Sequence, residues 1–352
     1  MQRILSIVLC FFSIAIVNAQ NDKIDLKVFG HIQYNLADIE NEKMSSFSLG
    51  EQDFFITSNI SDRISFLGET VVKYDNSTSS RFAPSVERAQ IKYDYYKNHS
   101  LIIGKIHTPV NYWNDVYHHG RLFFPVIDRP LSFNYFIPVH TLGARLQGQN
   151  LGKLNFGYDL MVGNGIAMSD VGGNNEDFSY MASAYIQPWD NSRFGVSYFM
   201  DNMSSNGAGV HSGHSAQVSD YQGTVGFDLF SASAAYFGEK FEFLSELNHN
   251  RTKTDSLGTS LNYGAFFYAG WRIKGNNKTP YILFDYLEVS ERELHSTPAL
   301  IQKLGLGYKY DISHKANVKV QLERVLRGER HFFHEHPGLH FYDFQIQFSY
   351  GL

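Results

Sequence analysis

The sequence predicts an all-β fold: a transmembrane, antiparallel, up-and-down β-barrel of about 16 strands with a long third extracellular loop. Three observations point there. Apolar or aromatic residues recur at every second position, short polar turns alternate with longer polar segments, and strand charges fall opposite the apolar face. The closing stretch YDFQIQFSYGL shows the first plainly. Tyr342, Phe344, Ile346, Phe348, Tyr350 and Leu352 share one face and Asp343, Gln345, Gln347, Ser349 and Gly351 the other, since a pleated strand repeats every two residues.

The N-terminus supplies a compartment. MQRILSIVLCFFSIAIVNAQ carries one positive charge, Arg3, an apolar run from Ile4 to Val17 and small residues around Ala19. That is the layout of a secretory signal, so residues 1–19 are expected to be removed and residues 20–352 to form a single barrel domain. The apolar run is too short to span a bilayer comfortably as a helix. Cys10 is the sole cysteine and lies in this segment, which excludes disulfides, thiol catalysis and zinc-thiolate sites from the mature chain. With Arg3 removed, 29 of the 30 basic residues remain against 35 acidic ones, a net charge of −6. Such a balance argues against a nucleic-acid partner, which wants a basic face. Aromatics make up 15% of the chain, with 29 Phe and 22 Tyr, and only nine prolines interrupt it, so one large β architecture fits better than two soluble domains.

Taken in order, the alternation places strands near 24–34, 51–60, 63–74, 85–95, 100–109, 141–149, 153–163, 177–187, 192–202, 222–237, 240–250, 261–274, 279–290, 299–312, 316–326 and 340–352. Turn residues such as Ser61-Asp62, Lys97-Asn98, Asn150-Leu151-Gly152 and Asp190-Asn191 make the short connections. Longer polar segments, 35–50, 75–84, 110–140, 164–176, 203–221, 251–260, 291–298 and 327–339, lie between them. Strict alternation of short and long connections is the mark of an up-and-down barrel with tight turns on one rim and loops on the other.

The polarity is inside out. Ile64, Phe66, Thr70, Val72 and Tyr74 oppose Ser65, Glu69 and Lys73, and Leu142, Ala144 and Leu146 oppose Arg145 and Gln147. A soluble core would bury those ions at several kcal/mol each when unpaired, whereas a wide barrel turns them to a watery lumen and its apolar face to lipid. Tyr and Trp crowd strand ends, where such rings anchor at membrane interfaces.

With its signal segment, sixteen strands, long third connection from Val110 to His140 and apolar final strand, the chain resembles the Gram-negative outer-membrane porin superfamily, in particular the sixteen-stranded phosphate-selective and general porins. The resemblance implies that segment 110–140 folds into the lumen and narrows it. It further implies outer-membrane lipid around the barrel, barrel-assembly machinery during biogenesis, and a homotrimer. Asp115, Arg121, Asp128 and Arg129 then become constriction candidates on the loop, with Arg88, Lys92, Lys105 and Arg145 on the adjacent wall. Such bases can concentrate anions; alternatively they pair with Asp94, Asp115 or Asp128 and merely keep the wall wet.

The eighth long segment reads HFFHEHPGLH, where His331, His334 and His336 are weak metal candidates. His118, His119, His211 and His214 lie in neighbouring loops, but no helix fixes their geometry and a solvated loop is the preferred reading. No cofactor is expected. No GxSxG, phosphate-binding loop or carboxylate pair at convincing spacing appears, so no enzyme is expected either. The functional expectation is an outer-membrane porin passing small hydrophilic solutes or ions through a water-filled lumen narrowed by the loop 110–140. Its rival is a non-conducting barrel that acts as a binding, scaffold or secretion-associated component.

Overall fold

The structure, a computed structural model, describes residues 24–39, 42–74, 81–117, 120–166, 177–204, 223–273, 277–293, 296, 298–328 and 339–352. Sixteen strands follow one another: β1 (Ile24–Ile39), β2 (Glu42–Asn59), β3 (Ile64–Tyr74), β4 (Phe82–Tyr96), β5 (His99–His107), β6 (His140–Leu151), β7 (Phe156–Gly163), β8 (Ser179–Ile186), β9 (Ser192–Ser204), β10 (Thr224–Phe237), β11 (Phe241–Thr254), β12 (Gly258–Trp271), β13 (Lys278–Val289), β14 (Ala299–Ser313), β15 (Ala316–Arg327) and β16 (Leu339–Gly351). Each pairs antiparallel with its neighbours in sequence, and β1 pairs with β16 to close the barrel.

Closure runs from Phe29↔Gly351 to Asp38↔Tyr342, and Leu352 N donates to the Val28 carbonyl at 2.8 Å. The final strand takes the orientation its alternation demands. Tyr342 is 58% and Phe348 40% exposed on the outer face, whereas Gln347 and Ser349 are wholly buried on the inner one. Short turns bend through left-handed residues, among them Lys97, Asn150, Asn191 and Asn277. Asn tolerates that region better than most residues because its side chain bonds the local backbone.

Three expectations change. The segment 35–50 is not a long loop: β1 continues to Ile39 and β2 starts at Glu42, paired in register from Ile39↔Glu42 inward. The serines at 45, 46 and 48 hide the alternation, but the ring of Phe47 meets Tyr34 across the pair at 4.8 Å. Segment 251–260 is likewise mostly strand, with β11 reaching Thr254 and β12 starting at Gly258, whose φ of 78° suits glycine. Thirdly, the inner face is not uniformly polar. Phe199, Phe227, Leu229, Leu244, Phe266 and Leu283 share the inward face with Glu246 and Asp285 and are buried inside the barrel.

The outer belt is a lipid-facing surface. Leu306, in the middle of β14, is 62% exposed and flanked in register by Ile282 and Leu322. Leu306→Arg is expected to destabilise the membrane-inserted barrel by about 2–4 kcal/mol. Denaturant titration of vesicle-refolded protein, read by the heat-sensitive gel shift of folded barrels, checks it.

Candidate functional site

Residues 108–139 join β5 to β6, and the described part of the segment, 108–117 and 120–139, packs against the inner wall of the barrel. Two short helices punctuate the segment, α1 (Tyr112–Val116) and α2 (Leu131–Tyr135). Its apolar side chains are too many for a solvated loop: Val110, Trp113, Phe124, Val126, Ile127, Phe136 and Ile137 are essentially fully buried. They pack on the inward apolar patches of the wall, with Trp113 edge-on to Phe124 at 5.1 Å and to Phe266 at 5.4 Å. At β12, Gly264 lets α2 come close, since a Cβ there would sit 2.8 Å from the Ser132 Cβ.

Polar groups fix where the loop sits. At its root, the buried Asn114 amide donates to the carbonyls of Thr108 (2.6 Å) and Val139 (3.1 Å), stapling the entering and leaving chain together. Helix α1 begins with Asn111 accepting from Asn114 N at 2.8 Å, and Glu246 of β11 accepts from Trp113 N at 2.6 Å and from the Asn111 amide at 3.2 Å. Asp285 of β13 accepts from Leu131 N at 2.8 Å, at the start of α2. A buried carboxylate at a helix start satisfies amide donors that have no partner within the helix, and the sign of its charge suits that end.

Further along, Gly120 N donates to Asp53 of β2 (3.1 Å), and Phe123 meets Phe29 of β1 at 5.2 Å. Asn317 of β15 donates to the Leu122 carbonyl (2.7 Å), and Gln345 of β16 donates to Asp128 (2.9 Å). The segment is thus tied to the wall from β9 round to β2.

The candidate charges divide into separate groups. Arg129 makes a two-pronged pair with Glu51 (3.0 and 3.4 Å) and lies over the rings of Phe124 and Phe133. Arg121 lies 3.9 Å from Asp128 and donates to the Ile127 carbonyl. Asp115 instead takes Arg193 of β9 at 2.5 Å, beside Arg145, which pairs with Asp159 at 3.3 Å. Arg88 pairs with Glu69, and Lys92 with Asp94 at 3.0 Å, both on the wall of β3 and β4. The Lys105 ammonium is buried and donates to the Val86 carbonyl on β4. The structure therefore gathers Arg121, Asp128 and Arg129 on one side of the loop and Asp115 with Arg145 on another, and each of the candidate arginines has a carboxylate partner.

Three residues that hold the loop in place, Glu51, Arg193 and Asn114, were not singled out by sequence. Alternation puts Arg193 in phase with Gly195 and Ser197 on the inner face, but its partner is 78 positions away. His331, His334 and His336, with His118, His119, His211 and His214, lie outside the described residues. Among the described residues no group of three or more His, Cys, Asp or Glu side chains is arranged to hold a metal ion.

No protein-family model and no curated protein matches the chain. Solved structures match it along nearly its whole length. The anion-selective porin from Comamonas acidovorans superposes with a TM-score of 0.69 at 8% identity, covering 94% of this chain and 100% of its own. The outer membrane channel DcaP of Acinetobacter baumannii gives 0.64 at 10%, covering 95% and 99%. OmpT of Vibrio cholerae, an outer membrane protein in a trimer form, gives 0.60 at 11%, covering 94% and 99%. At such identities the likeness is one of fold: the chain has the closed sixteen-stranded barrel of outer-membrane porins.

Two predictions follow from the anchors. Glu246→Ala or Asp285→Ala leaves helix-start amides without an acceptor, a loss of about 1–3 kcal/mol each from loop docking. Protease cleavage between 108 and 139 in vesicle-embedded protein should rise in both variants. The second concerns pH. Burial would raise the Asp115 carboxyl, but Arg193 and Arg145 outweigh it and hold it below the usual 3.8. Burial likewise opposes ionisation of Asp128, and Lys303 and Arg121 override it. Carboxyls lowered in the folded state stabilise docking fully above 3.8 and lose that contribution as pH falls from 3.8 through the folded values. The denaturant midpoint of the vesicle-refolded barrel should begin to lose this contribution only below that pH. In the Asp115→Asn, Asp128→Asn variant the midpoint should already be lowered at neutral pH.

Proposed function

We propose that the protein is an outer-membrane channel of the porin type, passing small hydrophilic solutes or ions, with its conductance set by the third loop. One observation carries this reading: segment 108–139 crosses the inside of a closed, lipid-belted barrel and is anchored there by wall carboxylates at Glu246, Asp285 and Glu51. A barrel of sixteen strands is wide enough for a lumen, so what passes is decided by the obstruction inside it. The predicted signal at residues 1–19 fits export, and a homotrimer fits the trimer form found for one structural neighbour.

Paired charges make this a passage filtered by size first. Each cation named on the loop is matched by a carboxylate, so among the described residues no large unpaired field of one sign lies at the obstruction to select strongly among ions. A second reading has its own support. Most inward side chains level with the loop are buried, including Asn248, Phe266, Asp285 and Gln345, which favours a barrel closed at rest and serving as a binding or scaffold component.

Planar-bilayer recording separates the two. The channel reading expects unitary steps from the purified protein, small for a barrel of this width, and larger steps from Glu246→Ala, in which the loop is loosened. Silence from both proteins, together with no solute entry in liposome swelling, would leave the closed barrel as the answer.

A further inference from the structure

We propose that the narrowest part of the passage is a slot between the root of the third loop and the wall formed by β8, β9 and β10, with the Arg193–Asp115 pair as the latch that sets its width. This rests on the channel reading. On that wall the register sets Ser183, Ser197 and Ser231 side by side in one row and Gly195 beside Ser233 in the next. Small inward side chains on three adjacent strands leave a gap opposite Pro109–Tyr112, a cavity of about 20 Å³. A single water needs about 10–15 Å³ of such space, so the gap has room for one water.

Polarity separates this gap from the packed remainder of the interface. Where the loop meets β12, Phe266 fills the space against Trp113, and Ser132 sits over Gly264. In the slot the wall presents hydroxyls. Ser183 donates to Asp159 and Ser231 to Asn248, but the Ser197 hydroxyl, 5% exposed, lines the gap with no hydrogen-bond partner in the protein. Burying a hydroxyl without a partner costs about 1–3 kcal/mol, and water in the slot is the species that removes this cost. The slot is therefore wettable at its narrowest point.

Arg193 stands at its edge. The guanidinium carbon lies 3.9 Å from the centre of the Tyr185 ring and 5.6 Å from that of Tyr112, and the group pairs with Asp115 at 2.5 Å. Wall and loop are thus clasped across the slot by one ion pair flanked by two rings. While the pair holds, the slot admits water and the smallest ions. Its release widens the slot and leaves Asp115 facing the passage.

The chain suits a direct test, because its one native cysteine, Cys10, lies in the predicted signal. Single-cysteine variants Ser197→Cys and Ser349→Cys, the latter as deeply buried on the opposite wall, are recorded in bilayers before and after Ag⁺, a thiol-reactive ion small enough for the slot. Modification of Ser197→Cys is expected to remove most of the current, and Ser349→Cys is expected neither to react nor to lose current. Ser233→Cys stands in if Ser197→Cys does not fold. Arg193→Gln is expected to raise unitary conductance and move the reversal potential in a salt gradient toward cations. A conducting wild type whose Ser197→Cys and Ser233→Cys forms resist the reagent, or carry it without losing current, overturns the slot while the channel reading stands. A wild type that does not conduct overturns both.

Discussion

Everything in this molecule depends on the pairing of β1 with β16. In hydrocarbon a strand edge leaves amide and carbonyl groups with no partner, at several kcal/mol each, so a sheet survives there only if it closes. Closure fixes the strand number, and strand number fixes the width of the interior. Once the width is fixed, sixteen strands enclose more space than their own side chains fill, and some other part of the chain must settle what occupies it. The segment between β5 and β6 does so.

That segment explains the departure of the inner wall from simple polarity. A loop rich in Trp, Phe, Ile and Val cannot rest against a wholly charged surface, and the wall meets it with Phe266 near Trp113 and small Gly264 beneath α2. The acidic side chains at Glu246 and Asp285 stand where the loop turns amides outward at its helix starts. The interior of the barrel is therefore a second core, enclosed by a sheet whose other face meets lipid.

The sheet was legible in the sequence because its cause is local. Alternation reports which face each side chain takes, and turn residues report where strands end, so sixteen strands emerge with bounds near those of the structure. It failed where local signals are ambiguous. Around residues 42–49 serines on both faces erased the period, and in YILFDYLEV apolar residues at consecutive positions suit two apolar surroundings equally. The candidate site was less legible for a different reason. Asp115, Asp128 and Arg129 were identifiable as charges on a long loop, but their partners Arg193, Gln345 and Glu51 lie 78 or more positions away in sequence. Distant pairing of this kind leaves no periodicity to read.

The relative size of the forces decides how the loop can move. Each fully buried Val, Ile or Phe contributes roughly 1.5–3 kcal/mol by leaving water. Partly exposed ion pairs such as Arg193–Asp115, by contrast, contribute modestly, because desolvation offsets much of their attraction. The apolar side chains therefore keep the loop docked, and the ion pairs determine its register against the wall. Swinging the whole segment out would expose Trp113, Phe124, Ile127 and Phe136 together, which thermal motion cannot supply. Opening must instead be local, at a place where the loop meets the wall with few apolar contacts and one ion pair. Among the described contacts, the serine-lined gap beside Arg193 meets that requirement, so in the proposed channel the width of the passage turns on whether a single guanidinium holds its carboxylate.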